Sequence, residues 1–563
     1  MPIESNAGPG LLRGTGPGLG PFATEYAPDR RSLLRVLADR ARAAPNVDWL
    51  VFDSSSRLTF ETAREEVARV GQTVLEAGLA GANVALLMRN RLEFMPVLLG
   101  AQAGGAVPVP LNPELRAGML ATLLRRCDAR AVFVERDLLA RIADLDDLGG
   151  VELVVVCGDE SSLPGSVNGV AVHGYSSWRG TEQLDLDAAA PDASAVAMMM
   201  FTSGTSGGSK AAVWTHHYLY LAASCVADAL EFGPDEVLTT PLQMCHIAGL
   251  QVFAGASLRA GCTAHLKSRF SASAYWDDVA RDGATFSMLM GPMTAAVLRA
   301  VPEAPPHRLH TLYVLPQPAE RVEFEQRYRT RIVWQGWGMT EIFPHLPRRE
   351  RIEDVPADTI GPAPSWVDYG VVDEHDRLLP PNQLGEMVYR PLIPDAMASG
   401  YYGDASTTAR AFRNFMFHTG DLGYYDEAGR IHFVMRNQDS IRVRGENVSA
   451  VELEAIATTH PDVTEAAAYA VTAPDGEQEI KLDVVTSCEL PELHVWLTEQ
   501  LPRYMVPRYL ERRTELPRTP SQRVEKYRLA AEGLDRPAVA EYRRTRNAPP
   551  PDAAARERPA GRS

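Results

Sequence analysis

Residues 198–215 read MMMFTSGTSGGSKAAVWT, an apolar strand running into a loop of small hydroxyl and glycine residues that closes on a lysine. Gly204, Gly207 and Gly208 remove side chains there, so that successive backbone N–H groups can converge on an anion. Thr202, Ser203, Thr205 and Ser206 add hydroxyl donors, and Lys210 adds charge. The composition suits phosphate. The loop lacks the GK[ST] ending in which a hydroxyl after the lysine meets magnesium, so it is not the loop of a P-loop NTPase. A Gly/Ser linker would share this composition, but the flanking strand argues against it.

Outward from this loop, helices alternate with short apolar strands. SLLRVLADRARAAP and LTFETAREEVARVGQTVLEAG carry apolar residues at helical spacing, and NVALLMRN, AVPVPLN, ARAVFVER and VELVVVCG read as buried strands. SAVAMMMFTS, TFSMLMG, TLYVLP and RIVWQGWG continue the rhythm, which predicts α/β layers with mostly parallel strands. Between Val371 and Phe433 turn-punctuated β segments such as GEMVYRPL and GRIHFVM predict a small β subdomain. About a hundred residues of α+β pattern follow. The expected division is 1–30 disordered, 31–436 a large N-terminal α/β domain with its β subdomain, 437–532 a small mobile α+β C-terminal domain, and 533–563 a disordered tail.

The chain has 563 residues, 45% of them hydrophobic, enough for several buried cores. With 56 basic against 72 acidic residues, the net charge of -16 repels nucleic acid and anionic membranes. Neither a signal peptide nor a membrane span is visible, and a cytoplasmic protein is expected. Cys127, Cys157, Cys225, Cys245, Cys262 and Cys488 show no CxxC spacing, so neither a disulfide framework nor a zinc site is expected. Among the basic residues four are lysines: Lys210, Lys267, Lys481 and Lys526. Arginine cannot replace lysine as a compact point charge, so a lysine retained in a candidate site carries extra weight.

Four further segments, taken with the loop, resemble the adenylate-forming superfamily of acyl-CoA synthetases, adenylation domains and luciferases. The loop 202–210 is similar to that family's phosphate loop, with Ser209 where proline is usual. QGWGMTE, Gln335, Gly336, Trp337, Gly338, Met339, Thr340 and Glu341, resembles the adenine-contacting segment, which assigns Thr340 to the α-phosphate and Glu341 to magnesium. One carboxylate beside a phosphate-contacting hydroxyl suits that hard cation, and Trp337 offers a flat face for a base. HTGDLGYYDEAGRIHFVMR resembles the ribose block, with Asp421 on both hydroxyls and Arg436 on ribose or phosphate. Gln438 matches the family hinge. RVRGENVSAVELE, residues 442–454, matches the loop that enters the active site after the C-terminal domain rotates, with Gly445 allowing close approach.

Two departures qualify the resemblance. LPRTPSQRVEKYRL places Arg523 where the family carries its adenylation lysine, so that Arg523, or Lys526 three residues on, would take the catalytic role. YVLPQPAERVEFEQRY lacks the usual Gly-Gly-Ala-Pro segment and resembles the crotonobetaine/carnitine-CoA ligase branch. PLQMCHIAGLQ resembles the start of the acyl-pocket helix, with His246 as pocket candidate; a hydrogen-bonded structural histidine is the competing reading. Met288 and Met290 are lining or core.

The resemblance implies ATP-dependent, AMP-forming acid activation with ATP and Mg2+, a small-molecule acid as substrate and coenzyme A as acceptor. It also admits an amine acceptor, including an ATP-dependent diazotase that activates nitrite for an aryl amine, a nucleotide-binding pseudoenzyme, and a homodimer.

Overall fold

The computed structural model describes residues 11–14, 18–202, 209–315, 318, 320–345, 356, 359–361, 363–436, 440–443, 446–517 and 524–542. Its large domain is built on two mainly parallel sheets. One runs, in spatial order, Arg331–Val333, Thr311–Leu315, Phe286–Met290, Val237–Thr240, Thr263–Leu266, Asp48–Phe52 and Ser56–Thr59, with the last pair antiparallel. The other runs Val107–Leu111, Asn83–Leu87, Ala129–Glu135, Leu153–Cys157, Val170–Gly174 and Ser166–Val167, again with an antiparallel last pair. Strands such as VALL and VVVC are apolar on both faces because helices cover both sides of a parallel sheet.

The helices Phe60–Glu76 and Phe94–Ala103 pack together in a core that joins the sheets, from Leu50, Leu238 and Phe286 of the first to Val84, Leu86 and Phe133 of the second. Gly100 and Gly104 permit that approach, since a Cβ at either would collide with Val70 or Val74. The helix Leu33–Ala43 starts where Ser32 accepts from the Leu34 N–H, and Phe60–Glu76 starts at a capping box made by Thr59 and Thr62.

The expected β subdomain is a five-stranded antiparallel sheet of Leu12–Arg13, Val367–Val372, Gly385–Pro391, Phe417–Tyr425 and Ile431–Arg436. The C-terminal domain carries a hairpin, Ser440–Val443 with Glu446–Ser449. Its four-stranded sheet consists of Val463–Thr472, Gln478–Thr486, Tyr509–Arg512 and Val539–Glu541. The two domains share apolar packing: Val109, Leu111 and Met199 belong to the same cluster as Ile441, Val443, Val448 and Leu453.

Three expectations are corrected. Val196–Thr202 is not part of a parallel sheet; it pairs antiparallel with Lys210–Thr215, with Thr202 opposite Lys210. The segment 1–30 is not disordered throughout. Leu12 and Arg13 pair with Tyr369 and Asp368, and the Asp228 carboxylate accepts from the N–H groups of Phe22, at 2.9 Å, and Ala23, at 3.0 Å, at the start of the helix Pro21–Thr24. Buried Arg259 bonds Glu25 at 2.8 Å and faces the rings of Phe22, Tyr26 and Tyr220, which gives this Gly/Pro-rich segment an anchor that its composition conceals. Regular structure also passes residue 532. Val539–Glu541 completes the C-terminal sheet, and the ring of Tyr542 stacks on His494 at 4.2 Å.

All six cysteines are free thiols, and among the described residues no helix is long and apolar enough to cross a membrane.

A candidate active site between the two domains

Lys210 opens the strand Lys210–Thr215, and Tyr401 is brought beside it by backbone pairing. Ser399 N–H donates to Val213 O, Val213 N–H to Gly400 O and Tyr402 N–H to Ala211 O, each at 2.9 Å, which lays residues 399–402 along the strand Lys210–Thr215. The Lys210 ammonium then sits 5.2 Å from the centre of the Tyr401 ring, a cation–π arrangement. Burial lowers the Lys210 pKa against the opposing pull of Glu341.

Glu341 completes this group. It lies in the turn between Trp337–Met339 and Ile342–His345, is 3% exposed, and receives the Tyr401 hydroxyl on Oε1 at 2.6 Å. Its backbone carbonyl accepts from Ala398 N–H at 2.8 Å, and the neighbouring Thr340 carbonyl from the Tyr218 hydroxyl at 3.4 Å. Among the described residues Oε2 of Glu341 is enclosed without a hydrogen-bond partner. An enclosed, unsatisfied carboxylate oxygen beside a cation is costly, and it is the donor a magnesium ion takes readily. The residues present therefore fit that ion.

The rest of QGWGMTE forms the wall next to this carboxylate. Gln335 is buried and its carbonyl accepts from the Tyr313 hydroxyl at 3.0 Å. Gly336, at φ +143, has no alternative: a Cβ there would collide with that same hydroxyl. Gly338 is exposed, and Met339 is half-buried. The Trp337 ring stacks on Tyr389, centroids 5.1 Å apart and planes at 17°, and its indole N–H donates to Asp421 Oδ2 at 2.9 Å. Asp421 is held in turn by its backbone: its N–H donates to Thr419 Oγ1 at 3.0 Å, and the preceding Gly420 N–H to Glu386 Oε1 at 2.8 Å. Burial would raise the Glu386 carboxyl, but the His418 ring at 3.0 Å and the Gly420 N–H hold it below its usual range. Arg436 pairs with Asp421 across two strands.

The C-terminal domain reaches the cleft at Glu446 and Glu452. His246 Nε2 lies 3.2 Å from Glu446 Oε2, and the Ser209 hydroxyl lies 3.1 and 3.2 Å from the two carboxylate oxygens of Glu452. Burial alone would disfavour the imidazolium, yet Cys245 and Glu446 outweigh it and raise the His246 pKa. His246 stands just before a π-helical turn, Ala248–Gly255, whose wider backbone follows the close approach of Gly249 to Gln243 O.

Lys210, Thr340, Glu341, Trp337, Asp421 and His246 are thus placed by strands and turns of the large domain. Lys526, expected as catalytic, opens the helix Lys526–Glu532 and binds Glu454 of its own domain at 2.8 Å. Ser203, Gly204, Thr205, Ser206, Gly207, Gly208, Gln438, Gly445 and Arg523 lie outside the described residues, as does the Arg436 side chain. Tyr401, Tyr218 and Glu446 were missed by sequence reasoning. Their neighbours lie 60, 122 and 200 positions away, and no local pattern signals such pairings.

The AMP-binding enzyme model matches residues 37–402, and the model of the AMP-binding enzyme C-terminal domain matches residues 452–523. A sulfoacetate–CoA ligase of Cupriavidus necator is 31% identical over 88% of this chain and 97% of its own length. A crotonobetaine/carnitine–CoA ligase of Citrobacter koseri is 28% identical over 89% of this chain and 99% of its own. In fold, an amide bond synthetase from Marinactinospora thermotolerans superposes with a TM-score of 0.72 at 24% identity, covering 89% of this chain and 99% of that one. The chain belongs to the AMP-binding enzyme family and is an adenylate-forming enzyme.

Proposed function

We propose that this enzyme couples ATP cleavage to the activation of a small-molecule acid and passes the activated acid to coenzyme A. The acid oxygen attacks the α-phosphorus, the bond to the β-phosphate oxygen breaks, pyrophosphate leaves, and a mixed anhydride with AMP remains. The observation that carries this reading is the enclosed Oε2 of Glu341, which lies near Lys210 and has no hydrogen-bond partner among the described residues. Magnesium held there would neutralise charge on the phosphates as the bond to pyrophosphate breaks. Lys210 and the loop from Thr202 would restrain the β- and γ-phosphates, Thr340 the α-phosphate, and Asp421, with Arg436, the ribose. Catalysis is then chiefly positioning and charge neutralisation.

Coenzyme A as acceptor draws support from the CoA ligases to which the chain is similar along nearly its whole length. In the pose described, Glu446 meets His246 at 3.2 Å, a pairing that favours the charged imidazolium and ties the C-terminal domain to the segment proposed to border the acid pocket. Rotation of the C-terminal domain about Gln438 would exchange this arrangement for one that brings Arg523 or Lys526 to the adenylation step. An amine loses a proton on attack just as a thiol does, so amide formation, or diazotisation with nitrite as the acid, is the second reading.

Pyrophosphate release with a panel of carboxylic acids, with nitrite and with neither identifies the acid. Adding coenzyme A or an aryl amine identifies the acceptor. ATP binding without pyrophosphate release under every condition would overturn the reading and leave a nucleotide-binding pseudoenzyme.

A further inference from the structure

We infer that His460, Asp462 and Cys488 form a binding site for a divalent cation of the zinc class, which clips two loops of the C-terminal domain together. All three residues belong to that domain and take no part in the proposed reaction, so the inference stands independently of it.

One ligating atom of each side chain, an imidazole nitrogen, a carboxylate oxygen and a sulfur, lies within 4.8 Å of the other two. The backbone brings them there. His460 and Asp462 precede the strand Val463–Thr472, Cys488 follows the strand Gln478–Thr486, and the two strands pair antiparallel with Val463 opposite Thr486. At that end the Asp462 carbonyl accepts from the Ser487 N–H at 3.1 Å and from the Thr486 hydroxyl at 2.8 Å, and the Cys488 N–H donates to Thr486 Oγ1 at 3.0 Å. The His460 ring stands edge-on to Trp496 at 5.0 Å, and its Nδ1 accepts from the Asp462 N–H at 3.2 Å, so it holds an unprotonated nitrogen toward Asp462. Cys488 is buried and Asp462 exposed. Among the described residues the Asp462 carboxylate has no hydrogen bond or ion pair, and Glu492, whose Oε2 lies 4.0 Å from the Cys488 sulfur, has no ion pair either. Arg512 directs its guanidinium to the Cys488 carbonyl at 2.6 Å and to Glu489 at 3.1 Å. The donors therefore converge with no side-chain cation paired to them. Asp376, Glu386 and His418 also converge, but around Arg413, which is 2.8 Å from Asp376 and 3.3 Å from Glu386 and already supplies the positive charge. Nitrogen, oxygen and sulfur together make a zinc-type donor set, whereas magnesium and calcium take oxygen alone. On binding, the Cys488 thiol gives its proton to solvent, and the metal takes the His460 lone pair from the Asp462 N–H, to which water then binds because Asp462 is exposed. A neutral imidazole, a thiolate and a carboxylate carry the charge that a divalent ion cancels, and three ligands leave a fourth position to water. No CxxC pattern announces such a site, because one cysteine meets a His-x-Asp pair from a separate loop.

The test is metal binding by the full chain after treatment with a chelator. Co2+ is the probe, because a thiolate ligand gives it a charge-transfer band in the near ultraviolet, and Zn2+ is then added to displace it. The wild type is expected to show that band and to lose it as Zn2+ replaces Co2+. Cys488→Ser is expected to abolish the band, and Cys225→Ser, which removes a different thiol, to leave it unchanged. His460→Gln and Asp462→Asn are expected to weaken Zn2+ binding, the histidine by about 100-fold or more and the exposed carboxylate by about tenfold. Zn2+ should also raise the melting temperature of the wild type and not that of Cys488→Ser. No band in the wild type, or a band of full intensity in Cys488→Ser, overturns the inference. So does a Zn2+ affinity that His460→Gln and Asp462→Asn leave unchanged, since a lone thiol would then account for the binding. Should Cys488→Ser fail to fold, those two variants decide the matter, because neither residue is buried.

Discussion

The four lysines divide the molecule in two. Lys267 meets Asp282 at 2.5 Å, Lys481 meets Glu511 at 2.7 Å and Lys526 meets Glu454 at 2.8 Å. Lys210, among the described residues, forms no ion pair; its ammonium lies over the Tyr401 ring, with the Glu341 carboxylate near enough to act on it electrostatically. In the C-terminal domain, buried Lys481, Asp483 and Glu511 are knit together with Arg513, which reaches Asp483 at 2.7 Å and Glu511 at 3.0 Å. In the cleft, among the described residues, a lysine without a salt bridge stands beside a carboxylate that forms no ion pair. Charge is buried in both regions, but in the C-terminal cluster each charge has an ion-pair partner, whereas Lys210 and Glu341 form none among the described residues. Removing a charge should therefore damage stability in the first region and activity in the second.

The largest expected effect follows from the satisfied region. Lys481→Met leaves Glu511 and Asp483 buried around an apolar chain, and breaking a buried pair in this way costs about 3–5 kcal/mol. Urea unfolding should show that loss in the C-terminal domain. A variant as stable as the wild type would mean that Arg513 alone carries the cluster, and the contrast between the regions would weaken.

Glu341→Gln sits on the other side of the comparison. The amide retains size and can still accept from Tyr401, so the melting temperature should stay near that of the wild type. Pyrophosphate exchange should fall by about 100- to 1000-fold, the size of effect seen when one preorganised electrostatic contact is lost. A large fall in stability with activity intact would reverse the assignment of this carboxylate.

What the sequence disclosed, and what it did not, follows the reach of each interaction. Leu33–Ala43 and Phe60–Glu76 are legible because the cap residues Ser32 and Thr59 and the apolar spacing act within one or two turns. The parallel strands are legible from their continuous apolar runs. The antiparallel pairing of Val196–Thr202 with Lys210–Thr215 was not, since an apolar strand followed by glycines reads alike whether its partner is parallel or antiparallel. Residues 18–30 misled for a related reason: Gly and Pro signal local looseness, whereas Asp228 and Arg259, more than two hundred positions on, supply the order. In the site, Glu341 and Asp421 are recognisable by motif, but Tyr401 on Glu341 and Trp337 on Asp421 depend on how separate strands cross.

His216 and His217, at the start of the helix that follows the Lys210 strand, extend the comparison to groups buried without charge. Burial holds His216 down to about 3, with Asp192 opposing it weakly. Burial and then Arg31 hold His217 down to about 4. Both values lie below the usual 6.5, so between pH 6.5 and those values the unfolded chain binds more protons and stability falls as pH drops. At pH 5 each histidine should cost about 2 kcal/mol relative to neutral pH. Denaturation from pH 7 to pH 5 should show this slope, and the pair of substitutions His216→Gln and His217→Gln should flatten it. An unchanged slope would assign acid sensitivity to the carboxylate clusters instead.

The smallest effect tests the seam between the two regions. The Ser209 hydroxyl ties the end of the phosphate-type loop to Glu452, and Arg126 donates to the Ser209 carbonyl at 2.5 Å. Burial raises the Glu452 carboxyl despite Ser209 and Arg126, which pull it the other way. Ser209→Ala deletes the hydroxyl and leaves the Arg126 contact to the main chain, so the loss is one partly buried hydrogen bond, about 1 kcal/mol. That contact exists in the pose where Glu446 faces His246, so the substitution should lower the population of this pose alone. Single-turnover measurements should then show transfer to the acceptor slowed up to about fivefold with pyrophosphate exchange unchanged. Equal slowing of both steps would place Ser209 in the phosphate site itself and leave the domains joined by apolar packing and the His246–Glu446 pair.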